Sequence, residues 1–177
     1  NMSIDPGPVT EADVDAFKGG IDPLASSGKL GPLLIQFPAS FQRSQEAIDY
    51  LGWLLKAFAG YALAVELRHR SWSDASHTAE LLDDNHVASV QIDDPKFPSS
   101  IRQDLKGPPA ELYYLRLHGR NVKEWWDHAE SEDRYNYFYS AGELQPIADK
   151  IRDVRAAVKK AYLFLNNHFS AQSVANA

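Results

Sequence analysis

The sequence predicts an α/β protein built on a parallel sheet. Short β-rich runs alternate with helical stretches. The runs are apolar almost throughout, as strands covered on both faces must be. Each run then turns polar at its C-terminal end. With 177 residues, 44% of them hydrophobic and 24% charged, the chain is long enough to bury a substantial core and has the balance of an ordinary globular domain. No Pro/Gly-rich linker or low-complexity segment divides it, so residues 1–177 are read as a single domain.

The elements follow in order. Leu33-Leu34-Ile35-Gln36-Phe37 is an apolar run closed by Pro38. Ser44 caps a helix whose apolar positions Ile48, Leu51, Leu55 and Phe58 recur at three- and four-residue steps, and Gly60 stops it. Ala62 to Arg68 reads as a buried strand that becomes charged at Glu66 and Arg68. A short helix over residues 75–84 leads to Val87–Asp93, apolar first and acidic last. Leu112–His118 is a further strand, ended by Gly119. Ser140 and Glu143 have the spacing of a capping box, and the helix they open carries Leu144, Ile147, Ile151, Val154 and Val158 on one stripe. Ala161–Asn166 is the last strand, followed by Asn167 and His168. Ser170–Ala177 is read as a short terminal helix with its N-terminus towards the strand ends. About five strands suit either an open doubly wound sheet or part of a closed barrel, which typically needs ~250 residues.

Four segments carry a family resemblance. These are Leu-Gly-Pro-Leu-Leu-Ile-Gln-Phe-Pro (30–38), Val-Glu-Leu-Arg-His-Arg-Ser-Trp (65–72), Leu-Arg-Leu-His-Gly-Arg (115–120) and Leu-Asn-Asn-His (165–168), with a closing Ala175-Asn176-Ala177. In that order they resemble the YecE-like family, domain of unknown function seventy-two, from about Thr10 onwards. The resemblance implies a parallel (β/α) TIM-barrel-like fold, of which this chain corresponds to roughly the C-terminal two-thirds. The family's early glycine- and tryptophan-containing strand has no counterpart here, so an incomplete barrel is expected. The resemblance brings no established reaction with it.

In parallel α/β sheets, function collects beyond the carboxyl ends of the strands. The polar residues at those ends are Gln36, Glu66 with Arg68, Asp93, Arg116 with His118 and Arg120, and Asn166 with Asn167 and His168. Period-two alternation puts Glu66 and Arg68 on one strand face, Arg116 and His118 on one face of theirs, and Asn166 with His168 likewise. Polar groups inside apolar strands are costly to bury unless they meet each other, water or a ligand, so convergence on one pocket is expected. The bland counterpart is a buried ion-pair network that only holds the sheet edge together.

Arginine forks suit carboxylate or phosphate. The expected ligand is therefore a small anionic molecule, held by Gln36, Arg68, Arg116, Arg120, Asn166, Asn167 and His168. Glu66, Asp93 and His118 are the candidates for acid–base catalysis, although a salt bridge to either carboxylate would make it a weak base. Metal-dependent phosphodiesterase or nuclease chemistry and a non-catalytic anion-binding module are the alternatives. No residue is assigned to a metal: Glu66, Asp93, His118 and His168 are suitable ligand types, but no compact motif such as His-Glu-x-x-His is present and nearby arginines repel cations. No cofactor is named by any motif. His69, His77, His86 and His128 read as surface or loop histidines.

Trp125, Trp126, Tyr135, Tyr137, Phe138 and Tyr139 crowd one loop and read chiefly as packing, with a stacking lid as the other reading. Trp53 and Trp72 read as core, and Asp83, Asp84 and Asp94 as solvated ends. A net charge of −6 argues against an extended nucleic-acid surface. No apolar run approaches the roughly 20 residues of a membrane span, Asn1–Pro8 lacks a signal-peptide pattern, and the absence of cysteine suits a reducing cytoplasm.

Overall fold

The structure, a computed structural model, describes residues 9–103, 111–127, 129–130 and 132–177. His128 and the Asn1–Pro8 stretch lie outside the described residues. All strand pairing is parallel. β1 (Leu33–Gln36), β2 (Leu63–Glu66) and β3 (Ala88–Ser89) form one three-stranded sheet; β4 (Gln91–Asp93), β5 (Leu112–Leu117) and β6 (Lys160–Leu165) form a second. β3 and β4 are two parts of the single run expected over Val87–Asp93, interrupted at Val90. The run still joins both neighbours, since the Val90 N–H donates to the Val65 carbonyl (2.9 Å) and Ile92 is in register with Arg116. The Gln103 side chain fills the interruption: its amide donates to the Val90 carbonyl (2.7 Å) and accepts from the Ile92 N–H (2.9 Å).

The wall so formed is strongly curved. Arg116 on β5 reaches Gln36 on β1 at 2.6 Å, although β2 and the β3–β4 run stand between their strands. In a flat sheet those strands would lie about 14 Å apart. At the other end of the strands the Tyr162 ring of β6 comes within 3.7 Å of where a Gly31 Cβ would sit, just before β1. The face that carries Gln36, Glu66 and Arg116 is therefore concave. The wall does not close: no pairing joins β1 to β6 among the described residues, and on β6 Leu163 and Phe164 are both exposed.

Helices cover the convex side. α2 (Gln45–Ala57) starts where Ser44 accepts from the Ala47 N–H, and it buries Leu51, Leu54 and Leu55 in a core with Leu63, Val65, Val87 and Trp72. Leu51 and Leu55, essentially inaccessible, contribute about 2 kcal/mol each by burial. Trp72 stacks on Phe41 and donates its indole N–H to the Phe41 carbonyl (2.8 Å). α3 (His77–Asp84) is short. α4 (Ala141–Arg155) opens with the expected Ser140/Glu143 capping box and packs Ile147, Ile151 and Val154 on Tyr113, Leu115 and Leu117 of β5. α5 (Gln172–Asn176) is barely more than one turn. No helix among the described residues is long and apolar enough to cross a membrane.

One element is additional to those expected, and one expectation needs correction. α1 (Glu11–Ser26) has no counterpart in the sequence reading, although Thr10 and Asp13 make a capping box; Gly19, Gly20 and Pro23 inside it mask the helical signal. Asp94 is buried rather than solvated, because it pairs with Lys96 at 2.6 Å.

Gln103 yields a direct test of the fold. Gln103→Ala leaves the Val90 carbonyl and the Ile92 N–H unpaired in the sheet and is expected to cost about 2 kcal/mol in urea unfolding. A loss below about 0.5 kcal/mol, within the range of an inert surface change, would show that the side chain does not stitch the two sheets.

Candidate functional site

Side-chain alternation and register sort the strand ends into two groups on opposite faces of the wall. Tyr113, Leu115 and Leu117 face α4, so Tyr114 and Arg116 face the concave side. Register then puts Ile92 and Phe164 beside Arg116, but Asp93 and Leu165 beside Leu117. Each ladder runs one residue past its strand, with Phe37 bonded to Glu66, His118 to Asp93 and Asn166 to Leu117 through the backbone. The polar ends are therefore held as firmly as the strands. The backbone at Arg68 is pinned as well, since its carbonyl accepts from the Ile101 N–H (2.8 Å) and His69 bridges antiparallel to Ser100.

On the concave face the Glu66 carboxylate, with no exposed surface, lies between two guanidinium groups. Arg116 Nη1 donates to Oε2 at 2.5 Å, and Arg68 donates through Nε (2.7 Å) and Nη2 (2.6 Å) to Oε1. Arg116 also donates to Gln36. The arginine side chains are only 15% and 12% exposed, so the pair is far less screened than a surface salt bridge. Arg68 Nη2 lies 3.1 Å from His118 Nε2. Arginine can only donate, so Nε2 is the acceptor and the imidazole carries its single proton on Nδ1. That Nδ1–H is buried and has no hydrogen-bond partner. Glu66 Oε1 is 3.6 Å from His118 Nε2, beyond hydrogen-bond reach.

Charge and burial set the protonation states. Burial works to raise the Glu66 carboxyl, but the guanidinium charges of Arg68 and Arg116 bound directly to it outweigh burial and hold the group at about 2. For His118, burial above all, aided by the two guanidinium charges, pushes the imidazole below its ordinary value against the pull of Glu66. At neutral pH the cluster thus holds one negative and two positive charges, with His118 neutral.

A loop covers His118. The Tyr135 ring centroid is 6.2 Å from that of His118 and 4.9 Å from that of His168, and Trp125 meets Tyr135 edge-on. His168, exposed, donates its Nδ1–H to the Asn166 carbonyl (2.9 Å), since a carbonyl can only accept. The aromatic loop is thus packing in part: Trp125 and Tyr139 are buried, while Trp126 and Phe138 are exposed.

Asp93, Arg120 and Asn167 do not join this cluster. Asp93 takes both oxygens to Arg120 (2.8 and 2.6 Å) and accepts from the Tyr139 hydroxyl (2.8 Å). Arg120 also reaches Glu143 (3.3 Å). The hydrogen bond to Asp93 raises the Arg120 guanidinium further above its ordinary value. Tyr137 and Ser140, by hydrogen bonding, hold Glu143 at about 2. Asn167, fully buried, donates to the Tyr137 carbonyl (2.9 Å) and to Asn176 (2.8 Å), and Asn176 in turn brackets the Tyr139 backbone from both sides. This second cluster ties the aromatic loop and α5 to the convex side. Gly119, at φ +90°, is its hinge point: a Cβ there would lie 2.7 Å from Tyr137 Cβ, a contact and a backbone conformation that only glycine tolerates. The terminal segment, read as a helix aimed at the strand ends, instead serves as this latch, with Ser170 and Ala171 at positive φ before its single turn.

Sequence reasoning missed Tyr135 as a neighbour of both histidines and Asn176 as a latch. Neither carries a local signal, because each acts only through a tertiary contact. Two cavities lie away from the Glu66 cluster. One of about 1060 Å³ sits between α3 and the 96–103 loop, and one of about 520 Å³ sits at the N-terminal ends of the strands, beside Gly31 and Tyr162. Among the described residues no group of three or more His, Asp or Glu side chains is placed to hold a metal ion.

A parallel α/β wall with a charged cluster on its concave face, at the carboxyl ends of the strands, defines the class of protein. The chain belongs to the family described as "Protein of unknown function DUF72", whose model matches residues 5–177. It is 28% identical over 171 residues to the UPF0759 protein YunF of Bacillus subtilis (strain 168), covering 92% of this chain and 60% of that protein. Among solved structures it is similar to a DUF72 family protein of Thermotoga maritima MSB8, with 36% identity, a TM-score of 0.87 and 94% of this chain against 62% of that one. A DUF72 family protein of Enterococcus faecalis V583 gives 25% identity, a TM-score of 0.86 and coverage of 95% and 63%. The chain thus spans less than two thirds of the length of each.

The protonation states predict an acid-sensitive fold. Glu66, at about 2 when folded against 4.5 ordinarily, contributes stability that is present above 4.5 and lost as pH falls through 2. His118, lowered from 6.5, resists a proton that the unfolded chain accepts, so it too removes stability on acidification, beginning near 6.5. Urea unfolding between about pH 7 and about pH 3 should show falling stability throughout, about 2 kcal/mol of it from Glu66. Glu66→Gln should flatten the part below 4.5. A wild-type stability that rises or stays level on acidification would contradict these assignments.

Proposed function

We propose that the concave cluster binds a small anionic molecule bearing phosphate or carboxylate, and that any chemistry there is acid–base chemistry centred on His118. One observation carries the reading: two largely buried guanidinium groups share a single carboxylate, leaving an unbalanced positive charge in a concave, poorly screened position. Bidentate arginine donors are suited to such an anion, and Gln36, Asn166 and His168 stand on the same side to orient it. Glu66, held ionised by its partners, is a poor base. Asp93 is turned to the other face, and Arg120 is committed to Asp93 and Glu143. The reading therefore narrows to Gln36, Arg68, Arg116, His118, Asn166 and His168.

The metal-dependent phosphodiesterase alternative is the weaker reading, because guanidinium groups hold the carboxylates that a divalent cation would need. A non-catalytic anion-binding module uses the same cluster and differs only in whether the ligand is changed. The TIM-barrel-like reading belongs with this proposal. The curvature of the wall, the exposed Leu163 and Phe164 on β6 and the open outer edges of β1 and β6 support a wheel of further strands that would complete the rim around the site.

Sulfate is a suitable probe. At ten times its Kd it should raise Tm by about 4 °C over sodium chloride of equal ionic strength, and Arg116→Gln should remove most of that rise. An undiminished rise in Arg116→Gln would place the anion elsewhere.

A further inference from the structure

We propose that anion binding at this cluster is coupled to proton uptake by His118, so that the ligand itself creates the acid of the site. The inference rests on the anion reading above and adds the state of one atom, His118 Nε2. In the free protein Nε2 accepts from Arg68 at 3.1 Å, which fixes a neutral imidazole with an unpartnered Nδ1–H.

Among the described residues, few groups face this ring. Glu66 and Arg68 approach from the end of β2, Arg116 from β5 and Tyr135 from the covering loop, with His168 beyond Tyr135. Their formal charges sum to one positive charge while His118 is neutral. A dianion placed on the N–H groups of Arg68 and Arg116 reverses that sum to one negative charge. Unbalanced charge in a buried site is costly, and a proton is the smallest correction available. Nε2 is already 3.6 Å from Glu66 Oε1. Once the anion draws the Arg68 guanidinium towards itself, Nε2 takes a proton from solvent and donates it to Glu66 in an ion pair. The step adds one proton to the imidazole and breaks no covalent bond. The bound site then holds an imidazolium next to an anionic ligand, with Nδ1–H ready to donate.

Tyr135 cannot supply this proton balance, since it would have to lose a proton rather than gain one. Glu66 stays ionised between its two guanidinium partners. His168 is exposed and stacks on Tyr135, so it is the competing acceptor and needs its own control.

The experiment is calorimetry of sulfate binding near pH 6.5 in two cationic buffers of different ionisation enthalpy, because sulfate itself stays a dianion there. Expected is an uptake approaching one proton per sulfate, and an affinity that strengthens up to about tenfold per pH unit on acidification. His168→Gln should retain the uptake. His118→Gln should lose it, with an affinity that no longer follows pH. If His118→Gln does not fold, the ¹⁵N resonances of the wild-type ring decide: a neutral Nδ1–H tautomer in the free protein and an imidazolium once sulfate is added. Sulfate that binds through Arg116 without proton uptake, or with a His118 ring that stays neutral, overturns this inference and leaves the anion reading intact. Sulfate that fails to bind, or binds equally well to Arg116→Gln, overturns both.

Discussion

The site depends on how one buried carboxylate is shared. Arg68 and Arg116 come from different strands, and on the same concave face their charges would repel in a medium that screens poorly. Glu66 accepts from both, and Gln36 takes a further donor of Arg116. Arg116, held by these two acceptors, ties β5 to β2 and β1 across the intervening β3–β4 run, so the curvature of the wall and the electrostatics of its rim are one problem. Removing either side of such a pair leaves an uncompensated buried charge, so the cluster is a structural tie, and its net positive charge is what the proposed anion would answer.

The two faces of the wall divide the labour. On the convex side, Asp93, Arg120, Tyr139 and Glu143 are saturated with one another, and with Asn167 and Asn176 they lock the loop that follows Gly119. On the concave side, His118 retains a buried Nδ1–H with no partner among the described residues. The locked loop brings Tyr135 over His118 and His168. The concave cluster is thus framed by a closed network on the other face.

Much of this was legible in the chain itself. Apolar runs bounded by Pro38 and Gly119, the Ser44 cap and the Ser140/Glu143 capping box place the elements, because each is local physics. That Glu66 shares a face with Arg68, and Arg116 with His118, follows from strand alternation alone. Asp93 is different: its face depends on the register of Ile92 with Arg116, and alternation within one strand carries no register between strands. Gln103, Tyr135 and Asn176 were illegible for the same reason, since each acts on a partner at least ten residues away. The helix over Glu11–Ser26 was hidden by Gly19, Gly20 and Pro23, which weaken local propensity while tertiary contacts such as Phe17 on Phe58 retain the helix.

The most direct test of the central claim is a double-mutant cycle on folding stability with Glu66→Gln and Arg116→Gln. If the carboxylate and the guanidinium are bound to each other as the structure places them, the two changes together cost less than their sum, with a coupling of about 1.5 kcal/mol or more. Additivity to within about 0.5 kcal/mol would mean that the two residues do not meet, and the shared acceptor on which the site rests would not exist.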